Sequence, residues 1–598
     1  MGVPAALAWL LVTIMLSEAT TTGAETATMT MIPIFSEIPR HQTSKDFQVL
    51  VRVEAPPAAG EKGWRVPIDL AVVLNVGGGA ERLDSVKKAV RFIIRQLHDD
   101  DRMAVVGSSG SRLFAETATG FLDIRGGRRL AERSVDTLVA RDGYALHTSG
   151  SGLEEAIKML AGDGELPAST MSRASFIILV SDTKESSRFG KLLKSHPVVV
   201  HTIGMGAAHD PKALLTIAKE SHGTYSFVDD QNMDGITGAV AVCLAGLKAV
   251  AAVGTRVRLE AAAAVEAGAR SRIERIESGG YESTISSDKA SGDVAVGILY
   301  AGEVKSFIVH LHVPPATSAA SVKGGCDKQE LLTASFLGHF GDGDAAPTVI
   351  QAILSVQRPP PEGVGIAGAA TLRKVPTPVV MNHIAQFGVL DMVTTFVEKE
   401  IWELSSITTE VTTAMATKLQ GQWEQFVQER QFWIGLDLGV LEIEINKMVS
   451  SLAAGSGGGS SALSYMLSWL SSYQMQRPTA MGSPSSVAAA FVTLSMQLTL
   501  QQATATVTGL GGGDGGGGCP ACECDDCGCV EPAPPPVFVP SGRGDGTYRV
   551  NAAYPAALLL DAINQAMNQM YLALVQASNV RQCNSTKVEV VPPPRAVA

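Results

Sequence analysis

The densest chemistry in the chain is a cysteine cluster, Cys519-Pro-Ala-Cys522-Glu-Cys524-Asp-Asp-Cys527-Gly-Cys529. Thiolates at that density suit a soft metal such as Zn²⁺, or disulfide exchange. Cys519–Cys522 and Cys524–Cys527 are C-x₂-C pairs, but a single residue separates them. Zinc ribbons and fingers place such pairs roughly a dozen residues apart, so that a knuckle folds around the ion. A small thiolate clutch for zinc and a redox-variable insert between glycine and proline tracts both stay open. No other cofactor is expected. Asn584-Ser585-Thr586 is a glycosylation sequon that matters only in a secreted chain, and Arg543-Gly544-Asp545 reads as a turn. The eleven histidines show no H-E-x-x-H spacing, and no G-x-S-x-G elbow or positioned Ser/His/Asp set occurs. His98, His201 and His209 read as structural or solvated. On these grounds the chain is expected not to be an enzyme.

At 598 residues the chain exceeds one core and should divide into several domains. It is 45% hydrophobic with a formal charge of −11 and no basic stripe, a globular composition that argues against a nucleic-acid partner. Ala5–Leu16 is an apolar run of signal-peptide length with small residues after it, so residues 1–24 are a candidate signal peptide. No Lys or Arg precedes that run, which leaves secretion and a cytoplasmic location equally open. No other segment has transmembrane length. Cys243, inside the apolar run Ala239–Val250, reads as a buried small hydrophobe.

The elements follow from periodicity. Phe47–Val53 alternates as a strand with one buried face. Ile68–Leu74 is continuously apolar, the pattern of a strand covered on both sides. Leu83, Val86, Val90, Ile93 and Leu97 then make one helical stripe. Strands at Met103–Val106, Phe176–Val180, Val198–Ile203 and Tyr225–Val228 alternate with helices at Leu153–Leu160, Leu192–His196, Pro211–Glu220 and Ile236–Ala249. Such alternation predicts a doubly wound parallel sheet over residues 66–249. After Thr255 the period returns to two, as in Phe307, Val309, Leu311 and Val313, which predicts antiparallel strands. Residues 47–54 and 250–357 are expected to form a β-sandwich with the α/β unit inserted in it. Residues 378–504 read as helical, with Trp402, Trp423, Phe426, Phe432, Trp433 and Trp469 as apolar anchors and a Gly/Ser break at Gly455–Ser461. A Gly/Cys/Pro-rich linker (505–550) and an amphipathic helix (551–580) close the chain.

The segments VPIDLAVVLNVGGGAERLDSVKKAVRFIIRQL, FIILVSD and HTIGMGAAHDP resemble the von Willebrand factor type A domain. With HQTSKDFQVLVRVEAPP, SHGTYSFVDD, YAGEVKSFIVHLHVP and SYMLSWLSSYQMQRPTAMGSP the likeness extends to plant proteins that carry this domain in a larger chain. The resemblance implies a Rossmann-like α/β fold and a partner-binding role. It also implies a metal site in which an Asp and two Ser from the first loop, a Thr and a later Asp surround Mg²⁺ or Mn²⁺. At those positions stand Asn75, Gly77, Gly79, Tyr144 and Asp182, with Thr148 and Ser149 as stand-ins if the loop is displaced. Glycine offers no side-chain ligand and Asn replaces an anion with an amide, so one carboxylate is left against the dehydration of the ion. The expectation is a degenerate site, with Asn75–Gly79 acting as a turn. A cradle of Gly amides for an anion is the rival, though the Gly-Lys-Ser/Thr of a nucleotide loop is missing.

The function expected from this is a protein-interaction or scaffold role with an unnamed protein partner and no membrane span. The alternatives are an adaptor associated with ubiquitin ligases, since some related plant chains carry a RING finger that this sequence lacks, and thiolate metal binding through Cys519–Cys529.

Overall fold

The computed structural model describes residues 27–508 apart from 58–64, 78, 108–111, 114–119, 139–150, 162–172, 185–188, 263–269, 317–327, 340–346, 360–375, 403–407, 434–435, 455–458 and 483–488, together with two short strands at 539–540 and 548–549. Strands β1 (Thr28–Pro33) and β2 (Ser44–Glu54) pair antiparallel from Thr28↔Glu54 to Pro33↔Val49. Antiparallel structure therefore begins before the expected Phe47. In β2, Phe47, Val49, Val51 and Val53 are buried, as alternation requires, but so is Leu50 on the opposite face. The expected single buried face is thus corrected, because a later helix covers the second.

The α/β unit then runs β3 (Ile68–Asn75), α1 (Ala80–Gln96), β4 (Arg102–Gly107), β5 (Leu122–Asp123), α2 (Ile124–Val135), α3 (Ser151–Ala161), β6 (Ala174–Ser181), α4 (Gly190–Ser195), β7 (Val199–Met205), α5 (Pro211–Glu220), β8 (Tyr225–Val228) and α6 (Gly235–Leu247). Pleating sends alternate residues of β3 to opposite layers. Ile68, Leu70, Val72 and Leu74 join the core under α1, α2 and α6, while Ala71 and Val73 join the core under α3, α4 and α5. A strand covered on both sides must be apolar throughout, as β3 is. Asp210 caps α5 by accepting from the amides of Lys212 and Ala213, with Pro211 in the first turn. β5 and α2 escape periodicity: β5 is two residues long and α2 carries Gly126 and Gly127 in its first turn.

Past α6 the chain enters β9 (Val250–Ala261), β10 (Arg272–Glu277), β11 (Glu282–Ile285), β12 (Ser291–Tyr300), β13 (Val304–Val313), β14 (Lys328–His339) and β15 (Thr348–Gln357). They form two antiparallel sheets, ordered β1-β2-β13-β10 and β11-β12-β9-β14-β15. β2 pairs with β13, Val51 opposite Phe307, across the whole α/β unit in sequence. Helices α7 (Pro378–Phe396), α8 (Thr409–Arg430), α9 (Gly439–Ala454) and α10 (Gly459–Met475), strand β16 (Met481–Gly482) and helix α11 (Leu494–Thr508) follow. α7 packs on β2 and β13 and supplies the cover for Leu50.

Three expectations change here. β16 joins the α/β sheet parallel to β8, giving the order β16-β8-β7-β6-β3-β4-β5, and β5 runs antiparallel to β4, so the sheet is mixed. A two-residue strand leaves no periodic signal; what places it is backbone pairing, Phe227 N–H to Ala480 O (2.8 Å) and Asp229 N–H to Gly482 O (3.0 Å). The glycine break is shorter than expected, since α10 already takes Gly459–Ser461. Among the aromatic anchors, Trp423, Phe426 and Trp469 are buried, whereas Phe432 is 84% exposed and Trp402 43%. Trp402 caps the π-turn Val397–Ile401 that follows α7, and Phe432 lies just beyond the C-cap of α8. Residues 1–24 and 551–580 and the cysteine cluster lie outside the described residues.

Candidate functional site

In a doubly wound sheet, ligand chemistry gathers where neighbouring strands send their connections to opposite faces, beyond their C-terminal ends. Here that crevice opens between β3 and β6, which end on Asn75 and Ser181. Asp182 follows, and it is nearly enclosed, with its side chain 2% exposed. A carboxylate so placed needs donors or a counter-charge. One oxygen accepts the Gly77 amide at 2.8 Å, and the other meets the Arg82 guanidinium at 3.3 Å. Asn75 turns its amide to Ser181 Oγ at 3.4 Å, and Ser181 Oγ donates to the Thr183 carbonyl at 3.2 Å. A Cβ on Gly77 would stand 3.9 Å from Asp182 Oδ1, so a larger residue would be accommodated there.

Arg82 also reaches the loop after β8, where it pairs with Asp230 at 2.5 Å. The second oxygen of Asp230 accepts the Ala207 amide at 2.9 Å. That approach requires Gly206: its φ is +66°, and a Cβ there would fall 2.3 Å from Asp230 Oδ1. Beneath the turn, His209 bonds the Gly206 carbonyl through Nδ1 and the Tyr225 hydroxyl through Nε2, at 2.5 and 2.7 Å. Burial keeps the His209 ring below the usual histidine range, against the Gly206 carbonyl and nearby carboxylates. Four loops of one sheet edge are tied together in this way.

Beside the crevice lies an open cleft of about 810 Å³ between the start of α1, the turn after β8 and the end of α11. Glu81, Asp84, Asp230 and Asp234 give its wall an acidic character, against Lys88. Lys88 sits 3.1 Å from Asp84 and 3.5 Å from Asp234, and the Asp84 hydrogen bond leads in holding it above the ordinary lysine range. Among the described residues no group of three or more His, Cys, Asp or Glu side chains is placed to hold a metal ion.

A second polar cluster joins the α/β unit, the antiparallel sheets and the end of α10. Arg477 donates to Glu303 at 2.9 Å and to the Ile298 carbonyl at 2.7 Å, and it lies 4.2 Å over the Tyr300 ring. Lys305 bonds the carbonyls of Met475 and Gln476 and stands 3.3 Å from Glu303. Burial pushes the Lys305 ammonium down to about 7, partly opposed by Glu303. Burial also works against the Glu303 carboxylate, but Arg477 and Lys305 outweigh it and hold Glu303 below its usual range. His201 closes the cluster, with Nδ1 against Thr224 Oγ1 at 2.8 Å and Nε2 3.4 Å from the Tyr300 hydroxyl. Of the histidines read as structural or solvated, His201 and His209 are buried, while His98 is exposed. Cys243 is a buried free thiol.

The structure brings Asn75, Gly77 and Asp182 together and puts Gly79 at the head of α1. Tyr144, Thr148, Ser149, Cys519, Cys522, Cys524, Cys527, Cys529 and Asn584 lie outside the described residues. Sequence reasoning missed Arg82 and Asp230. A signal existed: Arg82 sits in the first turn of α1, where the helix dipole disfavours a cation, so an acidic neighbour from elsewhere is to be expected.

Residues 68–227 match the family model of the von Willebrand factor type A domain. The E3 ubiquitin-protein ligase WAV3 of Arabidopsis thaliana is 28% identical over 293 residues, 46% of this chain and 37% of that protein. WAVH1, also an E3 ubiquitin-protein ligase of Arabidopsis thaliana, is 30% identical over 132 residues, 19% of this chain and 18% of its own. The chain thus spans little more than a third of the length of WAV3 and under a fifth of that of WAVH1. Among solved structures, a von Willebrand factor type A protein from Catenulispora acidiphila aligns with a TM-score of 0.48 and 15% identity, over 72% of this chain and 91% of that one. The ligase names overturn the expectation that the chain is not an enzyme. Spacings that mark nucleophiles, acid–base pairs and metal ligands carry no signal of an activity that works by holding two proteins together. Residues 68–227 are a von Willebrand factor type A domain, in a chain whose curated relatives include ubiquitin-protein ligases of Arabidopsis thaliana.

Proposed function

We propose that the chain is a protein-interaction component whose type A domain engages its partner without a divalent cation. The observation that carries this reading is the pairing of Asp182 with the Gly77 amide and the Arg82 guanidinium. The residues do not fit Mg²⁺, which keeps near-ideal octahedral oxygen coordination. Gly77 and Gly79 bring no side-chain oxygen, Asn75 brings no charge, and a guanidinium stands beside the carboxylate. Partner contact then falls to the rim, where the cleft lined by Glu81, Asp84 and Asp234 favours a basic segment of a protein. Such binding should weaken with salt. Within this reading β1, β2 and β9–β15 act as one sandwich that carries the α/β domain as an insertion, and the C-terminal helices brace it.

The names of the relatives favour a second, compatible reading, in which the partners belong to ubiquitin-ligase machinery. Affinity purification of the full chain, in parallel with Mg²⁺ and with EDTA, tests both. Specific partners recovered equally in the two buffers are expected. Ubiquitin-conjugating proteins among them support the second reading, and loss of all partners in EDTA contradicts the first. Thiolate metal binding through Cys519–Cys529 is a separate proposal, tested by metal analysis of the purified chain.

A further inference from the structure

We propose that Arg82 is the resident cation of the crevice: its guanidinium does, on a covalent tether, what a bound ion does for converging carboxylates. The proposal rests on the metal-independent reading above. Asp182 is enclosed and Asp230 is partly exposed, and they arrive from different loops, after β6 and after β8. Two carboxylates drawn to one crevice repel unless a positive charge stands between them. Arg82 meets Asp182 through Nη1 at 3.3 Å and Asp230 through Nη2 at 2.5 Å, so one planar fork bridges the pair. The remaining oxygens are also occupied. Asp182 Oδ1 accepts Gly77 N–H, and Asp230 Oδ2 accepts Ala207 N–H, which only a glycine at 206 allows.

The bridge therefore joins the β3–α1 loop, the end of β6, the β7–α5 loop and the β8–α6 turn. Arg82 sits in the first turn of α1, where the helix dipole alone gives a cation no reason to be. The two carboxylates supply that reason. The fork is covalently held and needs no dissolved cation, and its charge repels a second cation from Asp182. The consequence is a partner face held in one state, insensitive to Mg²⁺, Ca²⁺ or Mn²⁺.

A double-mutant cycle on the full chain tests this, with thermal melting of the parent, Arg82→Ala, Asp182→Asn and the double variant. Arg82→Ala leaves an enclosed carboxylate without its counter-charge and is expected to lower the melting midpoint by roughly 4–8 °C. Adding Asp182→Asn should then cost far less than the two single losses combined. Millimolar Mn²⁺ should recover part of the Arg82→Ala loss, reversibly with EDTA, and leave the parent unchanged. Arg82→Lys keeps the charge but reaches one carboxylate at a time; it is expected to lose about half as much and keeps the test measurable if the alanine variant does not fold. Additive losses in the cycle, no Mn²⁺ recovery of Arg82→Ala, or a lysine variant as impaired as the alanine would overturn the proposal and leave the metal-independent reading standing. An EDTA-reversible shift in the parent would sink that reading itself.

Discussion

Replacing His201 should remove a defined part of the protein's sensitivity to acid. The Nδ1 of His201 accepts the Thr224 amide at 3.2 Å and lies 2.8 Å from the Thr224 hydroxyl. That amide can only donate, so Nδ1 must be the bare nitrogen and Nε2 carries the proton toward Tyr300. Protonating Nδ1 would face it with another N–H in a fully enclosed site, next to the positive Arg477. Burial first, then Arg477, pull the His201 ring from 6.5 down to about 3. The unfolded chain therefore takes up a proton between those values and the native chain does not, so stability is lost as pH falls from 6.5 toward 3. A tenfold difference in proton affinity between the folded and unfolded chain is worth about 1.4 kcal/mol, so this one group accounts for about 2 kcal/mol at pH 5 and up to about 5 kcal/mol near pH 3. Urea unfolding at pH 7, 6, 5 and 4 of the parent and His201→Gln measures it. Gln offers a neutral acceptor and donor in similar space, so the variant should lose stability at pH 7 but fall less steeply toward pH 4. Parallel curves for the two proteins would refute the argument, since carboxylates elsewhere contribute equally to both.

Two further outcomes follow from the same geometry. Arg477→Met removes one of the two cations that face the enclosed Glu303, leaving Lys305, and should cost roughly 3–5 kcal/mol in urea unfolding, with Glu303→Gln added on top restoring part of it; a loss below about 1 kcal/mol would contradict the ion-pair account. Gly206→Ala places a Cβ 2.3 Å from Asp230 Oδ1 at a φ of +66° and should destabilise by roughly 1–3 kcal/mol, while Gly421→Ala, inside α8 with nothing within 4 Å, should be neutral or slightly stabilising; equal melting of the two variants would refute the close-approach argument.

What the sequence disclosed depended on range. Local signals read directly: the apolar run of β3, the stripe Val86, Val90 and Ile93 that is buried in α1 with Leu97 buried at its C-cap and Leu83 only partly covered, and the Asp210-Pro211 cap of α5. Each of these is decided within one or two turns of chain. The arrangement of the crevice is not local. Arg82 and Asp182 are 100 positions apart and Arg82 and Asp230 are 148 apart, and neither pair leaves a periodic trace. β16 was invisible for the same reason, since two residues paired by backbone alone have no composition to betray them. The Leu50 face of β2 read as open because its cover, α7, arrives more than three hundred residues later. Asp182 itself was recognised by its place after an apolar strand, but its counter-charge could only be found once the loops were brought together.

The measurement that bears most directly on the central claim is the melting of the unmodified full chain with millimolar Mg²⁺ or Mn²⁺ and with EDTA. A ligand that binds only the folded state adds about 2.7 kcal/mol at a hundredfold excess over its Kd, or roughly 5–10 °C for a domain of this size. With Gly77 and Gly79 bringing no ligand and Arg82 beside Asp182, the three curves should coincide. A midpoint that rises with either ion and returns with EDTA would contradict the account and restore a cation to the partner-binding face.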